Sequence, residues 1–438
     1  MTLQLRHRPA SEPGETMVKA RRLVSEEAGI VRLVHEAPIA SDGPRIFGCA
    51  SLCSDYGSSG FPSDNSISGS TAVDRDRAIV GAIGEAVERY SAAFVPYEDI
   101  VSGTIASLRA RAIRPESLVL YGDDQLSDAR FPYRAVAPDD AIGWIEGHSL
   151  THDQPVLVPA FAVYQPYVSR SGEPPVIQQV TTGLACGNTP EEAILAAICE
   201  VVERDAAMLM WLQRRRPPIV RLGPDGPPQM LRALQRFGMA ARHVTLLDIT
   251  TDIAIPAFVA VWEGPIAGAS GGIFASCAKP NADSAAVGAL TELAQCLMWA
   301  ASLIDARTPL PDPTTVPLTR IEEHVMWPLR PGARDVYGFA LSSPRRVELG
   351  VAPATTDALS AVQACTQRIA EAGLETIVVD VTSPDIREVG LHVFRAIIPG
   401  AQPLFFGTGL HRISARALDG GDVDRAGTDI NFHPHPFP

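Results

Sequence analysis

The stretch AILAAICEVVERDAA, Ala193–Ala207, decides how this chain is read, because the chain writes it twice. An earlier segment, AIVGAIGEAVERYSA, Ala78–Ala92, matches it at nine of fifteen positions with a constant offset of 115. A fainter third copy, AAVGALTELAQCLMW, runs from Ala285 to Trp299. There Glu292 falls where Glu85 and Glu200 fall, and Gln295 replaces the second glutamate. The spacing is too long for a solenoid of short repeats and fits one helix used three times in a large fold.

On a helix, residues i and i+3 share a face. Glu85 and Glu88 therefore project together, as do Glu200 and Glu203. Arg89 and Arg204 follow four residues after the leading glutamates. A solvated i,i+4 ion pair is the plain alternative, worth about 0.3–0.5 kcal/mol. The flanks argue against it, being alanine, isoleucine and valine on both sides. Gly81 and Ala196, one turn before the leading acids, are expected to leave room for a ligand. Two acid pairs in a half-buried place repel unless cations neutralise them. Mg²⁺ takes carboxylate oxygens and brings phosphates with it. A phosphate loop needs a lysine after glycine, and the only lysines, Lys19 and Lys279, follow Val18 and Ala278. Convergent glutamates without such a loop suggest metal-bridged nucleotide binding of an unusual kind.

Composition narrows the rest. At 438 residues the chain can bury a large core in two or three lobes. The formal net charge of −13, with no basic stripe, argues against nucleic acid or an anionic membrane as partner. No apolar run is expected to reach the roughly 20 residues of a membrane span, and the N-terminus lacks a secretory pattern. The seven cysteines are scattered and complete no zinc site. They read as reduced, mostly buried thiols of a cytoplasmic protein.

Strands are expected at residues 29–37, 45–53, 143–150, 155–168, 176–183, 243–250, 255–263, 272–279, 375–382 and 391–400. A glycine- and serine-rich loop over 56–70 leads to the first repeat helix, with Asp74 as N-cap. A helical piece is expected near 105–113. Thr189-Pro190 opens the second repeat helix, with Glu191 and Glu192 in its first turn. Residues 1–24 read as a loose leader. The class is α/β or α+β, with three related helices on mixed sheets. The end, PHPFP, taken alone, is a stiff proline-rich tail.

In combination these segments resemble the YcaO family. AIVGAIGEAVERY resembles its first motif, GLACGNTPEEAILAAICEVVERDA its second and ALTELAQ its third. DVTSPDIREVGLHVFRAIIPG resembles the late strand region, and PHPFP the proline-alternating end. The resemblance implies a YcaO-type fold around an ATP site, with ATP and Mg²⁺ as cofactors. Carried over, the Mg²⁺ ligands are Glu85, Glu88, Glu200 and Glu203, and these join Asn188, Glu192 and Arg204 in binding the nucleotide. The carboxylate of Pro438 would move a proton in catalysis. The implied parts are an N-terminal segment (1–28), a catalytic domain (29–416) and a tail entering the active site (417–438).

The implied reaction is an ATP-dependent cyclodehydration, in which backbone amides of a ribosomal precursor peptide are phosphorylated and Cys, Ser or Thr become thiazolines or oxazolines. Its implied partners are the precursor and a separate leader-binding protein resembling ubiquitin-activating enzymes. A flavin-dependent dehydrogenase and a second copy of the chain, as a homodimer, complete the expected set. Thioamide or amidine formation is the alternative within the family, and a non-catalytic precursor-binding scaffold the alternative outside it. Two places depart from the family pattern: TTGLACGN has Thr182 before Gly183 where the family usually opens Ser-Asn-Gly, and the third motif differs as well. The third motif commonly carries a phosphate-touching arginine two residues after the glutamine, and here Leu297 stands there.

Overall fold

A computed structural model describes residues 3–9, 11–37, 43–55, 67–170, 172–223, 226–349, 357–419 and 423–438. Most of the expected glycine- and serine-rich loop, residues 56–66, lies outside the described residues. The three repeat segments form helices at Arg75–Ala93, Pro190–Leu212 and Ala282–Asp305. Each starts at a side-chain cap, which satisfies one of the free amides of a helix N-terminus. Asp74 accepts from Arg77 N, Thr189 from Glu192 N, and Asn281 from Ser284 N.

Fourteen strands make three sheets among the described residues. The first is antiparallel and holds β1 (Val31–Ala37), β2 (Phe47–Cys53) and β3 (Ile67–Ala72) in that order. The second holds β4 (Val101–Gly103), β5 (Ile142–Ser149), β6 (Gln154–Pro159), β7 (Leu184–Gly187), β13 (Ile377–Asp380) and β14 (His392–Ile397). The third runs β11 (Ala269–Ala278), β10 (Ala257–Ile266), β9 (Val244–Asp248), β8 (Ile219–Val220) and β12 (Arg346–Val347). This is the expected α+β class, with mostly antiparallel sheets.

Each repeat is a strand followed by its helix: β3 and the first helix, β7 and the second, β11 and the third. Each helix also bridges two sheets. The first packs on β2 and β3 and on β7, the second on β7 and β14 and on β10 and β11. The third packs on β10 and β11 and on β3, which closes the circle. The small residues serve this packing. A side chain at Gly81 would run into Ser70, and one at Gly288, the matching position of the third helix, into Cys277 Sγ. Gly81 is thus small because the helix touches its strand, which corrects the expectation that it leaves room for a ligand.

Several local expectations need correction. Residues 176–183 form no strand, and the strand lies just after them as β7. Residues 155–168 are a strand only to Pro159, where a short 3₁₀ turn begins. The piece near 105–113 is one 3₁₀ turn, Ile105–Ser107. Residues 67–70, read as loop, belong to β3, Ile67–Ala72. The N-terminal residues are not loose: Pro13–Arg21 is a helix whose Ala20 is buried, with Leu23 buried just beyond. The third repeat helix is long and apolar enough, by length and composition, to cross a membrane, against the expectation that no run qualifies. Its apolar side is buried against β10 and β11, as for a core helix.

Candidate active site

The leading glutamates hold the backbone N-terminal to their own helices. Glu85 Oε2 accepts from Gly69 N at 2.7 Å, and Glu200 Oε2 from Gly183 N at 3.2 Å. The second acidic position of each helix reaches the strand of the next repeat. Glu88 accepts from Cys186 N in β7 at 2.8 Å. Glu203 accepts from Ala278 N at 3.3 Å and from Ser276 Oγ at 2.8 Å, both in β11. Gln295 closes the circle by donating to Gly69 O in β3 at 3.1 Å.

That circle explains the glutamine of the third copy. Gly69 N is already taken by Glu85, so only its carbonyl remains. An amide donates to a carbonyl and a carboxylate does not. Thr71 ties the same junction by donating to Thr291 O at 2.6 Å.

The helices therefore place five carboxylates in a ring. Glu88 feels Glu200 and Glu85, Glu200 feels Glu203, and Glu292 feels Glu203 and Glu85. Burial, opposed by the Cys186 amide and reinforced by the neighbouring acids, holds Glu88 well above the usual carboxylate range. Burial, against the pull of Arg204, pushes Glu200 up to about 7. Glu292 is raised by the protein around it and by Glu203. Its side chain is exposed to water. Glu292 is the site residue that the repeat displayed but the motif reading did not assign. Its signal was its alignment with Glu85 and Glu200.

Arginines stand beside the ring. Arg89 Nη2 donates to Glu85 Oε1 at 2.9 Å. Arg204 Nη1 donates to the main-chain oxygen of Pro438 at 2.9 Å, and its buried Nε has no hydrogen-bond acceptor. The tail that ends there is threaded through the core. Phe437 is wholly buried and packs edge-on to Phe274. Trp211 Nε1 donates to His433 O, and Asn431 N to Leu212 O, both at 2.8 Å. His324 takes the Gly407 amide on Nε2, so its Nδ1 carries the proton given to His435 O. His435 donates from Nε2 to Phe405 O and accepts the Phe437 amide on Nδ1.

Asn188 and Glu192 sit away from the ring, at the N-terminal end of the second helix. Glu192 lies two turns before Glu200, about 12 Å along the axis. It accepts from Ser11 N at 3.0 Å and from Asn188 N at 3.1 Å. Asn188 Nδ2 donates to Thr16 Oγ1 at 2.8 Å. The N-terminal segment thus closes over this end of the site. Leu297 faces the other way: it is buried in the apolar core under the third sheet.

Among the described residues no three acidic, histidine or cysteine side chains converge on one metal position. A ring of carboxylates without a closed cage suits Mg²⁺, which keeps water and substrate phosphates among its ligands. The buried Arg204 Nε, Asn188 Oδ1 and Gln295 Oε1 lack hydrogen-bond partners. Buried polar atoms are normally satisfied, and a nucleotide with its cation would satisfy them. The residues present fit that group.

The sequence from residue 69 to 402 matches the family model described as YcaO cyclodehydratase, ATP- and Mg²⁺-binding. An uncharacterized protein of Methanothermobacter thermautotrophicus is 30% identical over 262 residues, which is 59% of this chain and 62% of that protein. Among solved structures, a heterocyclase in complex with substrate and cofactor superposes with a TM-score of 0.82 at 24% identity, covering 100% of this chain and 59% of that one. YcaO from Methanopyrus kandleri bound with AMPPCP and Mg²⁺ gives 0.63 at 22%, covering 90% and 91%. The chain thus spans about three fifths of the length of the curated relative and of the heterocyclase. With the model matched over most of its length, the chain belongs to the YcaO cyclodehydratase family, whose cofactors are ATP and Mg²⁺.

Proposed function

We propose that this chain is an ATP-dependent peptide cyclodehydratase that forms thiazolines or oxazolines from Cys, Ser and Thr of a ribosomal precursor peptide. The observation that carries the reading is the seating of Pro438 on Arg204 beside the five-carboxylate ring. In this reading Glu85, Glu88, Glu200 and Glu203, with Glu292, would hold Mg²⁺, which would neutralise the phosphates' charge. Arg204, with its unpartnered Nε, and Asn188 and Glu192 would help to hold the nucleotide. ATP supplies the phosphoryl group that turns the amide oxygen into a leaving group.

The protein's share is positioning and charge neutralisation. A thiol or hydroxyl of the peptide attacks the preceding amide carbon and gives up its proton. The amide oxygen, once it carries the phosphoryl group from ATP, would then leave as phosphate while the amide nitrogen gives up its proton and the C=N bond of the ring forms. In this reading the carboxylate of Pro438, held by Arg204, would receive the first proton. The reading also includes a separate leader-binding partner, a homodimeric assembly, a flavin-dependent dehydrogenase for later oxidation, and a cytoplasmic setting.

The test is mass spectrometry of Cys-, Ser- and Thr-bearing precursor peptides after incubation with the chain, its partner, ATP and Mg²⁺. Loss of one water per ring, with one ADP formed, is expected. Exchange of oxygen for sulfur when sulfide is present, without loss of water, would replace this reading by thioamide formation. The absence of any ATP turnover would leave the non-catalytic scaffold.

A further inference from the structure

Beside the carboxylate ring an open cleft of about 100 Å³ lies between β14, the segment before β7 and the loop after β14. Its walls are largely apolar and include Leu118, Phe161, Ile177 and Ile397. Arg395, on β14, lines it and is 7% exposed. Its Nη2 donates to Val180 O at 2.8 Å, while Nε and Nη1 have no hydrogen-bond partner. Glu200 shares its field but is held by Gly183 N. A second buried guanidinium, Arg412, also lines the cleft and spends its donors on the carbonyls of Leu118 and Val119.

The arrangement is unusual for a core. A buried charge is costly, and a buried donor without an acceptor adds to that cost. Burial, opposed by the Glu200 carboxylate and reinforced by Arg412, lowers the pKa of Arg395 to about 10. An anion on the free nitrogens would satisfy those donors and add to the partial compensation that Glu200 gives. The apolar walls limit which anion. A bare phosphate would leave them wet, whereas an organic acid would cover them with its body and present its carboxylate to the arginine.

We propose that this cleft is a second ligand site, distinct from the nucleotide site, that binds a carboxylate with an apolar body through the free donors of Arg395. The carboxylate comes either from a small organic acid or from an acidic side chain flanked by apolar residues in a bound peptide. The inference stands on Arg395 and its walls, and holds whichever reaction the carboxylate ring performs.

Calorimetry on the full chain tests it, with 3-phenylpropionate against its amide and Ac-Leu-Glu-Leu-NH₂ against Ac-Leu-Gln-Leu-NH₂. At least one carboxylate is expected to bind about tenfold or more tighter than its amide twin. Which pair shows the difference tells the free acid from the peptide. Saturating AMPPCP and Mg²⁺ should leave that binding in place. Arg395→Gln should abolish the preference, and Ile177→Trp, which fills the cleft, should abolish binding of both twins. Equal affinity of acid and amide in both pairs overturns the proposal without any variant having to fold. Displacement by AMPPCP and Mg²⁺ overturns it as well, since the cleft would then belong to the nucleotide site.

Discussion

At the scale of single residues the third repeat is the most informative, because it breaks the pattern where the chemistry demands it. Gln295 donates to the Gly69 carbonyl, and Glu85 accepts from the Gly69 amide. Gln295→Glu would set a carboxylate against a carbonyl and beside five other acids. It should destabilise the protein by about 1–3 kcal/mol at pH 8. At pH 5 a protonated Glu could donate to the carbonyl again, so the penalty should shrink. Thermal denaturation at the two pH values checks this, and an unchanged melting temperature at pH 8 would sink it. Glu203→Gln has a different expectation. It would remove a proposed ion ligand, while the amide oxygen can still accept from Ala278 N and the amide nitrogen can donate to the Ser276 hydroxyl. Nucleotide binding that needs Mg²⁺ should weaken sharply, while melting without nucleotide changes little; calorimetry with and without Mg²⁺ reads the difference. The paired glutamates were legible in the sequence because i,i+3 spacing fixes a shared face. The backbone partners were not, since Gly69, Gly183, Cys186 and Ala278 act through main-chain atoms that carry no residue signature.

At the scale of elements, the caps and the helices could be read ahead, while β3 and β7 could not. Ile67–Ala72 reads ISGSTA and Leu184–Gly187 reads LACG. Both are too poor in large apolar residues to announce a strand. Their small side chains instead let a repeat helix approach, as Gly81 does against Ser70. The tail has the opposite history. Its prolines suggest a disordered end, but tertiary contacts bury it. Removing Pro436–Pro438 should cut ring formation by roughly 10²-fold or more, the usual scale for a positioned proton acceptor, and change nucleotide affinity little. A variant lacking these residues that forms rings at the full rate would make the tail merely structural. The tail also carries a pH dependence. Burial, only partly offset by the His435 carbonyl, lowers His324 to about 4, from about 6.5 when unfolded. Burial and His324 push His435 well below its usual value. A group with a depressed folded pKa that is neutral when buried adds stability in full above about pH 6.5. That stability is lost as pH falls through about 4. Hydrogen exchange at the Phe437 amide should therefore accelerate between these limits before the sheets open. Exchange that accelerates everywhere at once would contradict this.

At the scale of the whole molecule, three strand–helix repeats and three sheets close on themselves, and the ring of acids is what the closure encloses. The repeat was visible in the sequence; its circular closure was not, because each helix's second sheet is contributed by a distant part of the chain. The closure concentrates charge that the fold alone does not balance. Glu200, at about 7, and the raised Glu88 and Glu292 bind protons in the folded state at pH values where an unfolded chain has lost them. For carboxyls with raised folded pKa values, the stabilising contribution is present below about pH 4.3 and is lost as pH rises through about 7. On the proposed reading Mg²⁺ with nucleotide would reverse this by taking the place of the protons, and ligand binding to the folded state alone raises its stability. Without ligand, the ring's part of the stability should therefore fall from pH 5.5 to pH 8. Over the same interval the rise in melting temperature on adding AMPPCP and Mg²⁺ should grow. Glu200→Gln removes one of the titrating groups and should flatten the slope without ligand. The tail histidines act in the opposite sense and below about pH 6.5, so the comparison at pH 7 and 8 belongs to the acids alone. Calorimetry in buffers of different ionisation enthalpy should find protons released on binding near pH 6.5 and fewer at pH 8. A ligand-induced shift of the same size at every pH, with no proton release, would mean that these carboxylates are already ionised and that something other than the bound cation holds the ring together.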